Sequence, residues 1–185
     1  VPGFGVPTHA EAKDVLAGAM LKYARSEILA GPVQAPLNWA KAGRPDKPTI
    51  ALLGEMFPAD PVIIGMMLEP MGLGAGPVVP TREWRELYAA LDCVVAAAIH
   101  PFYTASLREF DVAGRPVVGS APVGYDGTEA WLQAVGQAAG IAQEKIDAAK
   151  NRFLPAIKGA LAKTPIKGCI TLSGYEGSEL LVGRL

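Results

Sequence analysis

Thr49-Ile50-Ala51-Leu52-Leu53 is a continuous apolar run, and this stretch decides the fold. Such a run is typical of a strand that is buried on both faces, as strands of parallel sheets are. Three further apolar runs, at 77–79, 93–99 and 116–118, predict three more strands, and helical patterns separate them. Strands that alternate with helices across short loops favour an α/β fold, doubly wound, with a parallel sheet flanked by helices. The pattern does not give the strand order.

Capping residues predict where the helices begin. Thr8 and Glu11 have the spacing of a capping box, and Asp60 followed by Pro61 fits an N-cap and a first helical residue. Thr81 is predicted to cap the next helix. The helix through Trp131 is predicted to begin at a cap supplied by Asp126 or Thr128, and the glycine-rich stretch 72–76 is predicted to be a helix stop and turn. The predicted apolar faces are Val15, Leu16, Ala19, Met20, Tyr23 and Ala24 in the first helix, and Val62, Ile63, Met66 and Met67 in the second.

Shifts in composition divide the chain into three predicted parts. Residues 1–48 are expected to be the end of a preceding domain, with a helix and a linker rich in Gly and Pro. Residues 49–141 are expected to form a Rossmann-like α/β domain. Residues 142–185 are expected to hold a connecting helix and, at 169–172, the first strand of a following, truncated domain. Because the chain opens at Val1 rather than Met, we expect it to be part of a longer polypeptide.

Composition narrows the classes of function. Of 185 residues, 50% are hydrophobic. The chain has 17 basic and 18 acidic side chains, which gives a formal net charge of −1. This balance argues against a nucleic-acid partner or an anionic membrane surface. No apolar run is long enough for a transmembrane helix, and the N-terminus lacks the pattern of a signal peptide, so a cytoplasmic location is predicted. Cys93 and Cys169 lie far apart, so no metal site is predicted from spacing.

Candidate site residues follow the predicted strands, because doubly wound sheets bind ligands at the carboxyl ends of their strands. His100 ends the third apolar run and is the candidate catalytic residue, since an imidazole donates protons or hydrogen bonds or ligates metals. A purely structural role stays open for His100 and for Glu55, which follows the first strand. The predicted substrate-binding set is Glu55, Met56, Phe57, His100, Phe102, Tyr103, Tyr125 and Asp126. This mixture suits a flat, largely apolar ligand, and no GxGxxG or GxxxxGK[ST] motif supports a dinucleotide or phosphate site.

Three stretches carry a family resemblance: 3–21, then Leu53-Gly54-Glu55-Met56-Phe57-Pro58-Ala59-Asp60 with 68–73, and Ile99-His100-Pro101-Phe102-Tyr103. Over essentially all its residues the chain resembles the nitrogenase-like component 1 superfamily, and within it the Y-type subunits of enzymes that reduce chlorophyllide a. The resemblance implies subunits built from three Rossmann-like domains, with substrate or cofactor in the cleft among them. It also implies a partner Z subunit and an iron–sulfur reductase component that consumes ATP and supplies the electrons.

The same resemblance implies a [4Fe–4S] cluster in the full complex, with its ligands outside this chain. Nitrogenase places a cofactor-ligating cysteine in the loop after the third of these strands, whereas this loop carries His100 and no thiol. A tetrapyrrole is therefore expected in the cleft rather than a metallocluster, with His100 as proton donor or as a contact to the pigment's central Mg. Two alternatives stay open: a protochlorophyllide reductase subunit, and a non-catalytic α/β domain that binds a small ligand or acts as a scaffold. The chain by itself is expected to be inactive.

Overall fold

A computed structural model describes residues 5, 8–30, 47–54, 60–100, 103–119, 121–163, 167–169 and 171. The described residues form four strands: β1 (Thr49–Leu53), β2 (Gly74–Val79), β3 (Val95–Ala98) and β4 (Val117–Val118). They also form helices α1 (His9–Ala30), α2 (Pro61–Leu68), α3 (Glu86–Leu91), α4 (Thr104–Val112), α5 (Gly124–Ala138) and α6 (Gln143–Lys163). A 3₁₀ turn, Glu69–Met71, continues α2. None of these helices is long and apolar enough to cross a membrane.

The strands form one parallel sheet in the order β2-β1-β3-β4. This confirms the predicted α/β fold with a parallel sheet and supplies the order that the sequence did not give. In the central pair, Ile50 lies opposite Val95 and Leu53 opposite Ala98. The chain runs outward from β1 to β2 and then returns to the other side of β1 to form β3. The topological switch point of the sheet therefore lies between β1 and β3.

The sheet is covered on both faces, as the continuous apolar strands require. Side chains alternate along β1, so Ile50 and Leu52 face one layer of helices while Ala51 and Leu53 face the other. The first layer contains α2, α5 and α6, and its centre includes Leu68, Trp131 and Ile146. The second contains α1, α3 and α4, and its centre includes Leu21, Leu87 and Phe110. Helix α1, although it precedes the first strand, packs on this same sheet.

The predicted apolar face of α1 is largely wrong, although Ala24 is buried and Met20 half-buried as predicted. Val15, Leu16 and Tyr23 are exposed, and the buried residues are Asp14, Ala17, Gly18, Leu21 and Ala24. The helix approaches its neighbours closely enough to select small side chains: a Cβ at Gly18 would stand 3.1 Å from the Cβ of Ala105 in α4. A larger side chain at Gly18 would hold the two helices apart there, whereas Leu21, further along the same face, is fully buried in the core.

The predicted face of α2 is largely wrong for a related reason. Met67 is buried as expected, but Val62, Ile63 and Met66 are exposed and Ile64 and Leu68 take their places in the core. Nearly every residue of this short helix is apolar, so periodicity does not identify the buried side.

Two of the predicted helix caps are confirmed. The amide of Glu11 donates to the Thr8 hydroxyl at 3.1 Å, and the amide of Val62 donates to Asp60 Oδ1 at 2.7 Å. Helix α2 with its 3₁₀ turn ends at Gly72, whose φ of +73° is left-handed, as the predicted stop requires.

Three other local predictions are wrong. Thr81 caps no helix: its hydroxyl donates to the Glu83 carbonyl, and α3 begins only at Glu86. Helix α5 begins at Gly124, so Asp126 and Thr128 lie inside it rather than at its cap. Residues 74–76, predicted as a turn, open strand β2, because small residues fit where the edge strand runs close to β1. Half of the strand predicted at 169–172, residues 170 and 172, lies outside the described residues, so that strand and the three-part domain division stay predictions.

Candidate functional site

The switch point of the sheet lies at the carboxyl ends of β1 and β3. The carbonyl of Leu53, the last residue of β1, accepts from the amides of Ile99 at 2.9 Å and His100 at 3.3 Å. The amide of Gly54 donates to the Val79 carbonyl at 2.7 Å, which ties the end of β2 to the same edge. The backbone of His100 is therefore fixed where open α/β sheets place their ligand sites.

His100 is packed rather than displayed on the surface. Its side chain is 3% exposed, and its ring meets that of Tyr103 edge to face, with centroids 5.5 Å apart and planes at 69°. Tyr103 is 1% exposed. A neutral imidazole carries one N–H donor and one acceptor nitrogen, so a ring held in this way presents a polar atom in a defined direction.

Gly54 makes the close packing of this pair possible. Its φ is +97°, a conformation that residues with a side chain rarely adopt. A Cβ at this position would overlap the His100 Cβ and stand 3.1 Å from Cδ2 and Cε2 of Tyr103. Sequence analysis did not single out Gly54, although a glycine that directly follows a buried strand signals a close backbone approach.

Asp14 is a second residue that sequence analysis missed. It lies on α1 and is 2% exposed, and its two carboxylate oxygens accept from the amides of Ala105 and Ser106, each at 2.8 Å. These amides belong to the first turn of α4, which begins directly after Tyr103. A carboxylate is favourable there because helix N-termini carry unpaired N–H groups and partial positive charge. The sequence signal for Asp14 was its spacing: it shares one face of the predicted helix with Ala17 and Leu21, where an acidic residue needs a partner.

The other predicted site residues fall into two groups. Tyr125 is half-buried and Asp126 exposed in the first turn of α5, which follows β4, the strand beside β3. Glu55, Met56, Phe57 and Phe102 lie outside the described residues. The structure thus brings His100 and Tyr103 into contact and places Tyr125 and Asp126 one strand further along the same sheet edge.

A groove of about 440 Å³ lies elsewhere, between α2 and β2, and Lys47, Met66 and Glu69 are among its lining residues. Its strand residues, Gly74 to Gly76, are at the amino end of β2. The groove is therefore remote from the edge that carries His100, and it is not part of the candidate site.

The thiols do not fit an iron–sulfur cluster within the part of the chain that the structure describes. Cys93 is buried, with Sγ 3.4 Å from the Ala89 carbonyl oxygen and 3.3 Å from the Thr49 hydroxyl oxygen. It precedes β3 and so lies at the end of the sheet opposite His100, whereas Cys169 is exposed. Among these described residues, no three His, Cys, Asp or Glu side chains are grouped to hold a metal ion.

Comparison with known proteins gives a consistent family assignment. The chain is 77% identical over 185 residues to the chlorophyllide reductase 52.5 kDa chain of Cereibacter sphaeroides and 68% identical to the protein of the same name from Rhodobacter capsulatus. Both alignments cover the whole of this chain but 36% of the relative. The family model of nitrogenase component 1 type oxidoreductases matches residues 1–185. With its parallel α/β sheet and a match from the first residue to the last, the chain belongs to the nitrogenase component 1 type oxidoreductases.

Proposed function

We propose that this chain is part of the catalytic component of an ATP-dependent, nitrogenase-like oxidoreductase that reduces a ring double bond of chlorophyllide a. Its family membership supports the redox chemistry, and the names of the two relatives support the substrate. The resemblance of residues 53–60 and 99–103 to Y-type subunits favours that subunit over its Z partner. Since the chain spans about a third of either relative, the activity belongs to the larger assembly. We place this assembly in the cytoplasm.

The observation that carries the proposed site is the position of His100. It lies at the switch point of the sheet, buried, with its ring braced by Tyr103. We assign His100 the role of proton donor to a ring carbon or of contact to the pigment's central Mg. Tyr103, Tyr125 and Asp126, with Glu55, Met56, Phe57 and Phe102, are assigned to the substrate-binding wall, where apolar and aromatic groups suit a flat macrocycle.

Reduction of a ring double bond adds two electrons and two protons, so that one C=C becomes a CH–CH single bond. The electrons come from the partner iron–sulfur reductase component, which consumes ATP. If His100 is the donor, its ring proton passes to one of the two carbons and the ring regains a proton from solvent, while solvent supplies the proton that the second carbon takes. A proton held beside the reacting carbon accelerates such a step by about 100-fold to 10,000-fold.

The remaining parts of the assembly are supplied by other chains or segments. A [4Fe–4S] cluster in the full complex would take its ligands from outside this chain, since Cys93 is committed to internal contacts. The Z subunit completes the catalytic component. On this proposal the chain by itself is inactive but retains part of the pigment-binding wall.

A pigment titration tests the proposal. The full-length subunit with its partner is titrated with chlorophyllide a and followed by absorbance, and turnover is measured with the reductase component and ATP. The variant is His100→Ala, and the control is His9→Ala, which removes the other histidine of this chain, exposed at the start of α1. We expect His100→Ala to weaken binding or to lower turnover about 100-fold or more, with His9→Ala unchanged.

Equal binding and turnover in wild type and His100→Ala would remove His100 from the site. A parallel titration with protochlorophyllide distinguishes a chlorophyllide a reductase from a protochlorophyllide reductase. Tighter binding and faster reduction of protochlorophyllide would make that pigment the substrate instead of chlorophyllide a. An assembly that binds neither pigment would instead be a scaffold.

A further inference from the structure

We propose that Asp14 is a positioning residue, whose carboxylate fixes the first turn of α4 and thereby the orientation of Tyr103 and His100. This inference rests on the proposed function of His100 and adds to it a residue from a helix that precedes the first strand. Asp14 lies 91 residues before the nearer amide that it accepts from, so no local sequence pattern connects it with the site.

The contact is specific to the start of α4. Both carboxylate oxygens are engaged, Oδ2 with the amide of Ala105 and Oδ1 with that of Ser106, at 2.8 Å each. The residue at the N-cap position, Tyr103, makes no side-chain capping bond of its own. Asp14 therefore does from α1 what a Ser, Thr or Asp at the cap does within a helix.

Helix α1 contacts α4 along much of its length. The contacts of Asp14 lie near His100, at the start of α4, and those of Arg25 lie further from it. Gly18 allows the close approach at Ala105, one turn along from Asp14. Further along, Arg25 donates to Glu109 Oε2 from Nη2 at 3.0 Å and from Nε at 3.3 Å. The pair of Arg25 and Glu109 joins the same two helices but lies about one turn further along α4 than Ala105. It provides a matched control for general loss of helix packing.

The first turn of α4 transmits the effect to the rings. The Tyr103 carbonyl accepts from the Leu107 amide at 3.1 Å, so the backbone of Tyr103 is part of the capped turn. Its side chain lies against the His100 ring. Without the carboxylate, the amide of the fully buried Ser106 would lose its acceptor, and the turn would shift to find another. Tyr103 would move with it.

The experiment uses the full-length subunit in its complex, with Asp14→Asn, Asp14→Ala and the control Arg25→Gln. Asn keeps the size of Asp and one acceptor oxygen, so folding, checked by circular dichroism, is retained in at least this variant. A single 3-fluorotyrosine at position 103 gives a ¹⁹F resonance that reports on the ring with or without pigment. Turnover is measured in the same samples and again in a His100→Ala background.

We expect the ¹⁹F resonance to shift for Asp14→Asn and further for Asp14→Ala, and to stay in place for Arg25→Gln. Because small misplacements of reacting groups cost up to about 100-fold in rate, Asp14→Asn should lower kcat about 10-fold or more with little change in KM. In the His100→Ala background it should have no further effect. An unshifted resonance in Asp14→Asn, or an equal shift in Arg25→Gln, would overturn the inference.

The two proposals fail separately. If His100→Ala leaves pigment binding and turnover unchanged, the proposed function of His100 is wrong, while the ¹⁹F shift still decides whether Asp14 positions Tyr103. If His100→Ala is impaired but Asp14→Asn has wild-type kinetics and an unshifted resonance, the site stands and the positioning role of Asp14 does not.

Discussion

Replacing Gly54 by alanine should destabilise the chain and disturb the His100–Tyr103 pair together. Two costs add at this position. A side chain at the positive φ of +97° costs about 1 to 2 kcal/mol. The new Cβ also overlaps the His100 Cβ and crowds the Tyr103 ring, and overpacking of a filled interior costs about 1 to 3 kcal/mol more. The expected total is about 2 to 5 kcal/mol.

Gly114→Ala is the matched control, because Gly114 also has a positive φ, +69°, but a Cβ there would meet nothing within 4 Å. The control isolates the backbone cost, and the difference between the variants isolates the overlap. Thermal unfolding measures both costs. For a chain of this size, each kcal/mol lowers the melting temperature by about 2 to 4 °C. At a cost of about 3 kcal/mol, Gly54→Ala should therefore melt roughly 6 to 12 °C below wild type. Equal melting temperatures for the two variants would refute the close contact between Gly54 and His100.

Two further predictions concern single polar side chains. Ser106→Ala should leave stability unchanged or raise the free energy of unfolding by about 1 kcal/mol. The reason is that the fully buried Ser106 hydroxyl has no hydrogen-bond partner among the described residues. A loss of more than about 1 kcal/mol in urea denaturation would contradict this prediction. Asp60→Ala should cost about 1 kcal/mol through loss of the cap on the Val62 amide. Thr81→Ala should cost less than about 0.5 kcal/mol, because among the described residues its hydroxyl donates to the Glu83 carbonyl and caps no helix. A larger loss of stability for Thr81→Ala than for Asp60→Ala would mean that Thr81 does cap a helix.

The sheet was predictable because its signal is local. Strands buried on both faces, such as 49–53 and 95–98, must be continuously apolar, and that pattern is visible in five residues. The order of the strands was not predictable, because it depends on which side of β1 each crossover returns to. The buried faces of α1 and α2 were not predictable either: α1 carries Ala and Gly on several sides and α2 is apolar all round, so the choice of face is made by the neighbouring elements.

The candidate site was predictable only in part. The rule that ligands bind at the carboxyl ends of strands selected His100 and Tyr103, and the structure places their rings in contact. The rule says nothing about Gly54 and Asp14, which act by backbone conformation and by a contact across 91 residues of sequence. Both are identified only once β1, β3 and α1 are in place around the start of α4.

The Asp14 contact also bears on what kind of ligand this sheet edge accepts. In many doubly wound proteins the helix that follows a switch-point strand points its N-terminal amides at a phosphate of the ligand. Here the amides of Ala105 and Ser106 in the helix after β3 are already taken by a carboxylate of the chain itself. A phosphate at this helix start would have to displace a buried Asp14 and would meet its negative charge. The sequence contains no GxGxxG or GxxxxGK[ST] motif, an independent observation with the same consequence. The start of α4 beside His100 is thus already occupied and does not offer a phosphate site, which agrees with the proposed function, in which a tetrapyrrole is held by packing and by a ring nitrogen.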